Sequence, residues 1–199
     1  MRHHRLIFAV VLLLVSALPA LGQDSIDNVV VTGDVTNIVL CHHDNDAWIY
    51  RLSIRLHVKN VGKQPLIISA ASAMTDYYKV ATTPENLSAK TFSHIGWVTS
   101  GGPSEPSPVP GKPVRPFKVV TPNESIDIEV DLRAIVTAEL KPGSAYLQIV
   151  AENWPDYTDE YIAKLKRAWS SYGVLWAHSL HSHPISFTVP LKVRAVRCP

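Results

Sequence analysis

The clearest alternation of hydrophobic and polar residues in the chain lies between Tyr50 and Ala70. Apolar residues occupy every second position from Leu52 to Val58 and polar or charged residues stand between them, as in a β-strand with one buried face. Residues 60–64 then suit a turn with a positive φ, and an apolar run, Leu66–Ile68, follows. The pattern predicts a strand, a tight reversal and a second strand, the start of an antiparallel sandwich.

A second alternating stretch, Ser125–Arg133, carries charges of the opposite sign. Its polar face is acidic, whereas the polar face of the strand from Tyr50 to Lys59 is basic. The acidic positions are Asp127, Glu129 and Asp131, and the basic ones are Arg51, Arg55, His57 and Lys59. Two such strands each bury one side, so we expect them to pair antiparallel with the two rows of charges opposite one another. A slip of one residue would bury the charges, so the pattern also sets the register.

Shorter β-rich stretches predict the remaining strands. They are Asn28–Thr32, Val35–Cys41, Tyr77–Val80, Phe92–Thr99, Phe117–Val120, Ala145–Ala151 and Pro184–Val196. Gly33 and Asp34 indicate either a short hairpin or one kinked edge strand, and residues 42–46 form a polar loop. Pro190 makes the last stretch an edge or bulged strand. Many short strands with frequent turns predict a mainly β fold, an antiparallel β-sandwich.

One α-helix is predicted, over about residues 156–172. Its apolar residues, which recur at helical spacing, are Ile162, Leu165, Trp169 and Tyr172. Asp156 suits the N-cap, and Gly173 suits the end of the helix. We expect the apolar stripe to pack onto the sandwich rather than to face a partner.

The Pro-rich loop Gly101–Pro116 is the clearest loop in the chain. Proline cannot pair in a central sheet and favours extended polyproline conformation. The 15 prolines among 199 residues also disfavour a helical bundle.

The N-terminus has the features of a secretory signal peptide over residues 1–22. Leu6–Val15 is an uninterrupted apolar run after a positively charged start, and Ala20 and Gly22 are the small residues expected before cleavage at Gln23. The run is shorter than the roughly 20 residues that span a bilayer, which favours a cleaved leader over a retained anchor. We expect an exported chain, in the periplasm or outside the cell, with no stable membrane insertion after cleavage.

The charge of the mature chain disfavours nucleic acid binding, and its length suits a single domain. Cleavage removes Arg2 and Arg5, so the 19 Lys and Arg fall to 17 and equal the 17 Asp and Glu. Nucleic acid binding needs a concentrated basic surface, and the sequence has none. Residues 23–199 are enough for a single domain with its own hydrophobic core.

The two cysteines, Cys41 and Cys198, form an isolated pair in an exported chain. In an oxidising compartment such a pair is usually bridged, so we expect a Cys41–Cys198 disulfide. It would stabilise the fold by roughly 5 kcal/mol in the chain-entropy description.

Two turns carry a resemblance to a known group of proteins. The N-x-G turn, Asn60-Val61-Gly62, and the P-x-E turn, Pro122-Asn123-Glu124, each border an alternating strand. This layout resembles bacterial exported immunoglobulin-like modules and is similar to the proteinase-inhibitor type of sandwich, over about half of the mature chain. The resemblance implies an immunoglobulin-like antiparallel β-sandwich, into which the helix and the Pro-rich loop are inserted.

Histidines are the strongest candidates for site chemistry. His178, His181 and His183 precede the last strand, and His42 and His43 lie near two aspartates in the early loop. Neutral imidazoles suit copper or zinc, and in an extended segment His181 and His183 share a face. These histidines can also lie in solvated loops that bind no metal, and we favour this interpretation.

The sequence contains no known catalytic motif. It has no G-x-S-x-G, no H-E-x-x-H and no Gly-rich phosphate loop. Cys41 and His42 are adjacent, so in a strand they point to opposite faces. We therefore expect a non-enzymatic exported module that binds a protein or a surface glycan through its loops, with no cofactor. The alternative is a periplasmic or secreted copper- or zinc-binding protein that uses His178, His181 and His183.

Overall fold

The computed structural model describes residues 28–44, 47–69, 75–90, 93–94, 117–137, 143–152 and 158–189. Within these ranges the chain is mainly β, as predicted, with eleven strands and one α-helix. The strands are β1 (Val29–Asp44), β2 (Ala47–Asn60), β3 (Leu66–Ser69), β4 (Thr75–Ala81), β5 (Ser93–His94), β6 (Phe117–Val120), β7 (Ser125–Thr137), β8 (Gly143–Glu152), β9 (Val174–Leu175), β10 (Leu180–His181) and β11 (Ile185–Val189). The helix, α1, spans Asp159–Ala168, and a 3-10 turn spans Glu85–Leu87.

The described strands form three sheets. Sheet 1 has the order β1-β2-β7 and is antiparallel. Sheet 2 has the order β10-β8-β4-β5, and β11 also pairs with β8. Sheet 3 has the order β6-β3-β9, in which β3 and β9 are parallel. Most pairings are therefore antiparallel, as the alternating strands predict.

The predicted antiparallel pairing of the two alternating strands is confirmed in sheet 1, but the two charged rows match only in part. Asp131 is opposite Ser53, Lys59 is opposite Ser125, and Arg51 is opposite Arg133. β2 and β7 run antiparallel, with Arg55 opposite Glu129 and His57 opposite Asp127. Each strand has an apolar face that is buried, since Leu56 and Ile128, which are also opposite one another, are each 1% exposed. The period of two therefore set the buried face and the register together.

One hydrophobic core collects side chains from all three sheets. β2 contributes the buried residues Leu52, Ile54, Leu56 and Val58. β8 and β11 contribute Leu147, Ile149, Ile185 and Phe187 to the same core. Each fully buried aliphatic side chain of this kind stabilises by roughly 1.5–3 kcal/mol. The layered arrangement is consistent with a β-sandwich.

Sheet 3 is covered on both faces, which explains why β3 is apolar at consecutive positions. Leu66 and Ile68 belong to the main core, whereas Ile67 points to a second cluster beneath α1. Leu165 and Trp169 form the helical side of that cluster and are both 0% exposed. The expectation that the apolar stripe packs onto the fold is confirmed for these two residues.

The helix is shorter than the predicted 156–172. Thr158, not Asp156, is the N-cap, and its side-chain oxygen accepts a hydrogen bond from the Tyr161 N–H at 3.3 Å. Asp156 lies outside the described residues. The helix ends at Ala168, and Tyr172 is 39% exposed because the chain has already left the helical path that would have buried it.

Gly173 explains how the chain turns from the helix into sheet 3. Its φ is +152°, and a Cβ atom there would lie 2.5 Å from the Pro65 carbonyl oxygen. The Val174 N–H donates to that same oxygen at 2.9 Å and starts the parallel pairing of β9 with β3. Only glycine allows this close approach.

The predicted reversal between β2 and β3 is wrong. The two strands are not hydrogen-bonded neighbours, because β2 pairs with β1 and β7 while β3 pairs with β6 and β9. Residues 61–65 instead carry the chain from sheet 1 to sheet 3. All four residues of β3 are buried, so this strand needs cover on both of its faces. Sheet 1 has one face in water and cannot provide that cover.

Asn60 is the buried polar residue at this crossing, with 0% exposure. Its side-chain nitrogen donates to the carbonyl oxygens of Gln64 at 2.8 Å and Val120 at 2.9 Å. Its side-chain oxygen accepts from the Gly62 N–H at 2.9 Å. Both donor hydrogens and the acceptor are therefore used, and they join the end of β2 to the connection and to the end of β6.

The backbone of Asn60 makes a second set of bonds, to the turn between β6 and β7. Its N–H donates to the Glu124 carbonyl oxygen at 3.0 Å, and its carbonyl oxygen accepts from the Asn123 N–H at 2.8 Å. Asn123 in this turn has φ +69°. The positive φ that the sequence predicts for residues 60–64 is not found at Gly62. Asn60 thus holds three chain segments at one point.

β1 is one strand, with irregularities in its pairing to β2 between Val35 and Asn37 and between Leu40 and His42. The kinked-strand alternative is therefore confirmed and the hairpin at Gly33 is wrong. Gly33 lies within the strand. A side chain does not fit at this position, because a Cβ atom there would be 2.8 Å from the Arg55 carbonyl oxygen. The predicted loop at 42–46 is also shorter, since β1 continues to Asp44.

β1 also joins sheet 1 to sheet 2. Val31 forms a parallel bridge with Ser182, and its carbonyl oxygen accepts from the His183 N–H at 2.8 Å. The Ser182 hydroxyl is buried and accepts from the Ile149 N–H of β8 at 2.9 Å. The segment that follows β10 therefore fastens the first strand to the centre of sheet 2.

Candidate functional site

The outer face of sheet 1 holds a group of charged side chains that contact one another across three strands. We call it the charged face and define it by Asp34 of β1, Arg55 and His57 of β2, and Asp127 and Glu129 of β7. These residues come together because the inward alternation of each strand leaves the intervening side chains in water. Three neighbouring strands thus place charges side by side.

Arg55 and Glu129 form one cross-strand pair of the charged face. The Arg55 Nε donates to Glu129 Oε1 at 2.7 Å, and the two side chains are 47% and 61% exposed. The hydrogen bond and the negative charge of Glu129 raise the pKa of Arg55 above its ordinary value. Because both groups are in water, the pair matters more for register than for stability.

His57 lies between carboxylates from both neighbouring strands. Its Nδ1 is 2.7 Å from Asp127 Oδ1 and its Nε2 is 3.1 Å from Asp34 Oδ2. The hydrogen bond to Asp127, and next the one to Asp34, raise the pKa of His57 above the usual histidine value. Since both ring nitrogens are engaged, His57 has no free nitrogen with which to act as a general base.

Asp34 is the member of this group that the sequence analysis missed. It was assigned to a turn or bulge with Gly33, whereas it lies within β1 opposite Arg55. A signal was present: Thr32, Asp34 and Thr36 alternate with Val31, Gly33 and Val35. Treating the glycine as an inward position of one strand would have placed Asp34 on the polar face.

The predicted histidine cluster is only partly assembled. His181 and His183 are both exposed and Ser182 between them is buried, as expected for an extended segment. His178 instead makes an edge-on contact with Trp176, with ring centroids 5.4 Å apart and an interplanar angle of 73°. Within the described ranges no group of three or more His, Cys, Asp or Glu residues is placed to hold a metal ion.

The other predicted metal ligands, His42 and His43, lie at the end of β1. Their backbones are opposite Ile49 and Trp48 of β2. Their role as ligands stays a prediction.

Cys41 precedes them in β1 and is partly buried, whereas Cys198 lies outside the described residues. The Cys41–Cys198 disulfide therefore also stays a prediction.

The Pro-rich loop Gly101–Pro116 lies outside the described residues, but the strands before and after it do not. β5 is the end strand of sheet 2, where His94 is opposite Tyr77. β6 is the end strand of sheet 3, where Phe117 is opposite Ser69. The Phe117 ring is buried against Trp169, with centroids 4.9 Å apart. The chain on either side of the segment is thus held in two different sheets.

Comparison with known proteins finds no matching family model, and neither a curated protein nor a solved structure matches the chain. None of the helices in the described residues has the length and apolar character needed to cross a bilayer.

Proposed function

We propose that the protein is an exported, non-enzymatic binding module of the immunoglobulin-like β-sandwich class. Its mature chain, residues 23–199, forms one domain in the periplasm or outside the cell. It recognises a protein or a surface glycan through the Pro-rich loop Gly101–Pro116. Recognition through a loop on a rigid scaffold is the usual way in which sandwich domains bind.

The observation that carries this proposal is the anchoring on both sides of the loop. β6 begins directly after the loop, with Phe117 buried against Trp169, and β5 holds the chain at His94, with six residues between it and the loop. Fixed ends reduce the entropy that a loop loses when it binds. Prolines reduce it further, because their φ is already restricted.

The immunoglobulin-like assignment is supported by the strand order of sheet 1. An immunoglobulin sandwich has a sheet in which strands A, B and E are neighbours in that order. The order β1-β2-β7 reproduces this arrangement, with the third strand supplied from a later part of the chain. The contribution of all three sheets to one core is in keeping with a sandwich.

The loop is tested by replacing Gly101–Pro116 with a Gly-Ser chain of equal length. Fluorescently labelled mature protein is applied to a glycan array and to the surface of cells that produce it. We expect the replacement to abolish binding while the melting temperature changes by less than about 2 °C, because the anchoring strands are untouched. A double variant on the exposed 3-10 turn, Glu85→Ala with Asn86→Ala, serves as the matched surface control.

Either of two results would contradict the proposal. Unchanged binding by the replacement variant would remove the loop from recognition. Failure of the unmodified mature protein to bind any glycan or any cell surface would remove the binding function itself. The metal-binding alternative lacks a ligand group within the described residues and is not favoured by any contact there.

Export is tested by the mass of the protein recovered from outside the cytoplasm. We expect the mature chain to begin at Gln23, since Ala20 and Gly22 are the residues that signal peptidase favours before its cleavage site. Intact mass spectrometry and N-terminal sequencing measure this directly. A recovered protein that still contains Leu6–Val15 would contradict cleavage.

A further inference from the structure

The geometry around His57 has a chemical requirement that the rest of the charged face lacks. Each ring nitrogen faces a carboxylate oxygen, at 2.7 Å on the Asp127 side and 3.1 Å on the Asp34 side. An ionised carboxylate only accepts hydrogen bonds, and a neutral imidazole has one N–H to donate. A neutral His57 would therefore point a lone pair at one of the two carboxylates. The doubly protonated imidazolium satisfies both.

We propose that His57 is a pH-sensitive latch, which as an imidazolium joins the carboxylates of β1 and β7 across β2 and which releases one of the two carboxylates when it loses its proton. Asp34 comes from β1 and Asp127 from β7, so the ring connects strands that do not pair with each other. β1 is the strand that also fastens sheet 1 to sheet 2 through Val31. The latch is independent of the proposed binding function.

Charged groups on the same face of sheet 1, within the described residues, come from all three strands. β1 contributes Asp34 and β7 contributes Asp127 and Glu129. β2 itself contributes Arg51, Arg55 and Lys59, of which Arg55 and Lys59 are one alternation away from His57. Arg55 is directed to Glu129. The direct partners of His57 are thus both negative, and they favour its charged form.

The direction of the pH dependence follows from this arrangement. In the unfolded chain His57 titrates near the ordinary value of about 6.5. In the folded protein the hydrogen bonds to Asp127 and Asp34 raise the pKa of His57. The stabilisation is therefore complete below about pH 6.5 and is lost as the pH rises through the folded-state value. His57 is partly exposed, so we expect a small effect, which a comparison of variants can resolve.

The latch is tested by titrating His57 in the intact protein by NMR, using its ring nitrogen shifts between about pH 5.5 and 9. We expect a midpoint above the ordinary 6.5. Asp127→Asn should lower that midpoint more than Asp34→Asn does, because Asp127 is the closer partner. A midpoint at or below 6.5, or one that Asp127→Asn leaves unchanged, would overturn the proposal.

A second measurement separates the latch from a merely structural role of the side chain. His57→Gln keeps a hydrogen-bonding group without the charge, and His57→Lys keeps a positive charge over the whole range. We expect wild type to melt about 1–3 °C above His57→Gln at pH 6 and the difference to shrink toward zero by pH 9. The difference between His57→Lys and His57→Gln should persist at both pH values.

The matched control is His181→Gln, at an exposed histidine of β10 outside the charged face. This variant removes an imidazole but leaves His57, Asp34 and Asp127 in place, so it reports how far the loss of any exposed histidine shifts the melting temperature. A pH-independent difference between wild type and His57→Gln would show that His57 acts only by packing, and would overturn the latch.

Discussion

Asn60→Asp should destabilise the folded protein by about 3–5 kcal/mol at neutral pH. We expect no other near-isosteric substitution at this crossing to cost more. The new carboxylate keeps the size of the amide but replaces both of its donors. It would then face the carbonyl oxygens of Gln64 and Val120, which lie 2.8 and 2.9 Å from the present nitrogen. Urea unfolding followed by tryptophan fluorescence measures the loss.

The control for this prediction is Asn86→Asp, the same chemical change at an exposed position of the 3-10 turn. It should change stability by less than about 0.5 kcal/mol. Lowering the pH should relieve part of the Asn60→Asp penalty, because protonation removes the buried charge and restores one donor. Equal losses for the two variants would contradict the role assigned to Asn60.

Ile128→Asp should be the most damaging single change on β7, with a loss of at least about 4 kcal/mol. Ile128 is 1% exposed and lies opposite Leu56 in the main core. A carboxylate there has no partner among the apolar side chains that surround it. Thermal unfolding followed by circular dichroism measures the effect, together with the yield of folded protein.

The matched control is Ser125→Asp, on the same strand but on its outer face opposite Lys59. It adds the same group and should change stability by less than about 0.5 kcal/mol. If Ile128→Asp does not fold, Ile128→Ala gives a measurable loss, expected at about 2–5 kcal/mol. Similar losses for Ile128→Asp and Ser125→Asp would contradict the inward orientation of Ile128.

The sequence predicted the pairing of β2 with β7 in sheet 1 correctly, but it did not predict the pairing of β3 in sheet 3. A strand with one wet face shows its orientation directly, so β2 and β7 could be paired by charge as well as by period. β3 shows no alternation because sheet 3 is covered on both sides. Its continuous apolar run after a turn predicts the second half of a hairpin, but such a run is also typical of a strand buried on both faces.

The charged face could be predicted only in part, for a similar reason. His57 and Asp127 were placed on facing rows by their alternation, and that is how they lie. Asp34 was not, because a neighbouring glycine is an equally good signal for a turn and for an inward strand position where the backbone approaches closely. The N-cap of α1 shows the same ambiguity, since Asp156 and Thr158 are both suitable capping residues and only Thr158 accepts the hydrogen bond from Tyr161.

The role of Asn60 lay beyond any local pattern. Its residue type and the following glycine predict a turn, and a turn is what the nearest contact, to Gly62, resembles. The bonds that make it structural go to Val120 and to the turn at Glu124, in a distant part of the chain. Periodicity within a window cannot show which distant segment supplies the partner of a buried polar group.

The bridge between Val31 and Ser182 has a consequence for the rate at which the chain folds. The two residues are about 150 positions apart, and 70 positions separate His57 from Asp127. Contacts between such distant segments slow folding, because the chain must close long loops before native contacts compensate for the lost entropy. The N-terminal strands therefore have no complete core to join until the last strands have been synthesised. Slow folding would suit the proposed export, because a translocation channel for unfolded polypeptides accepts a chain that has not yet folded.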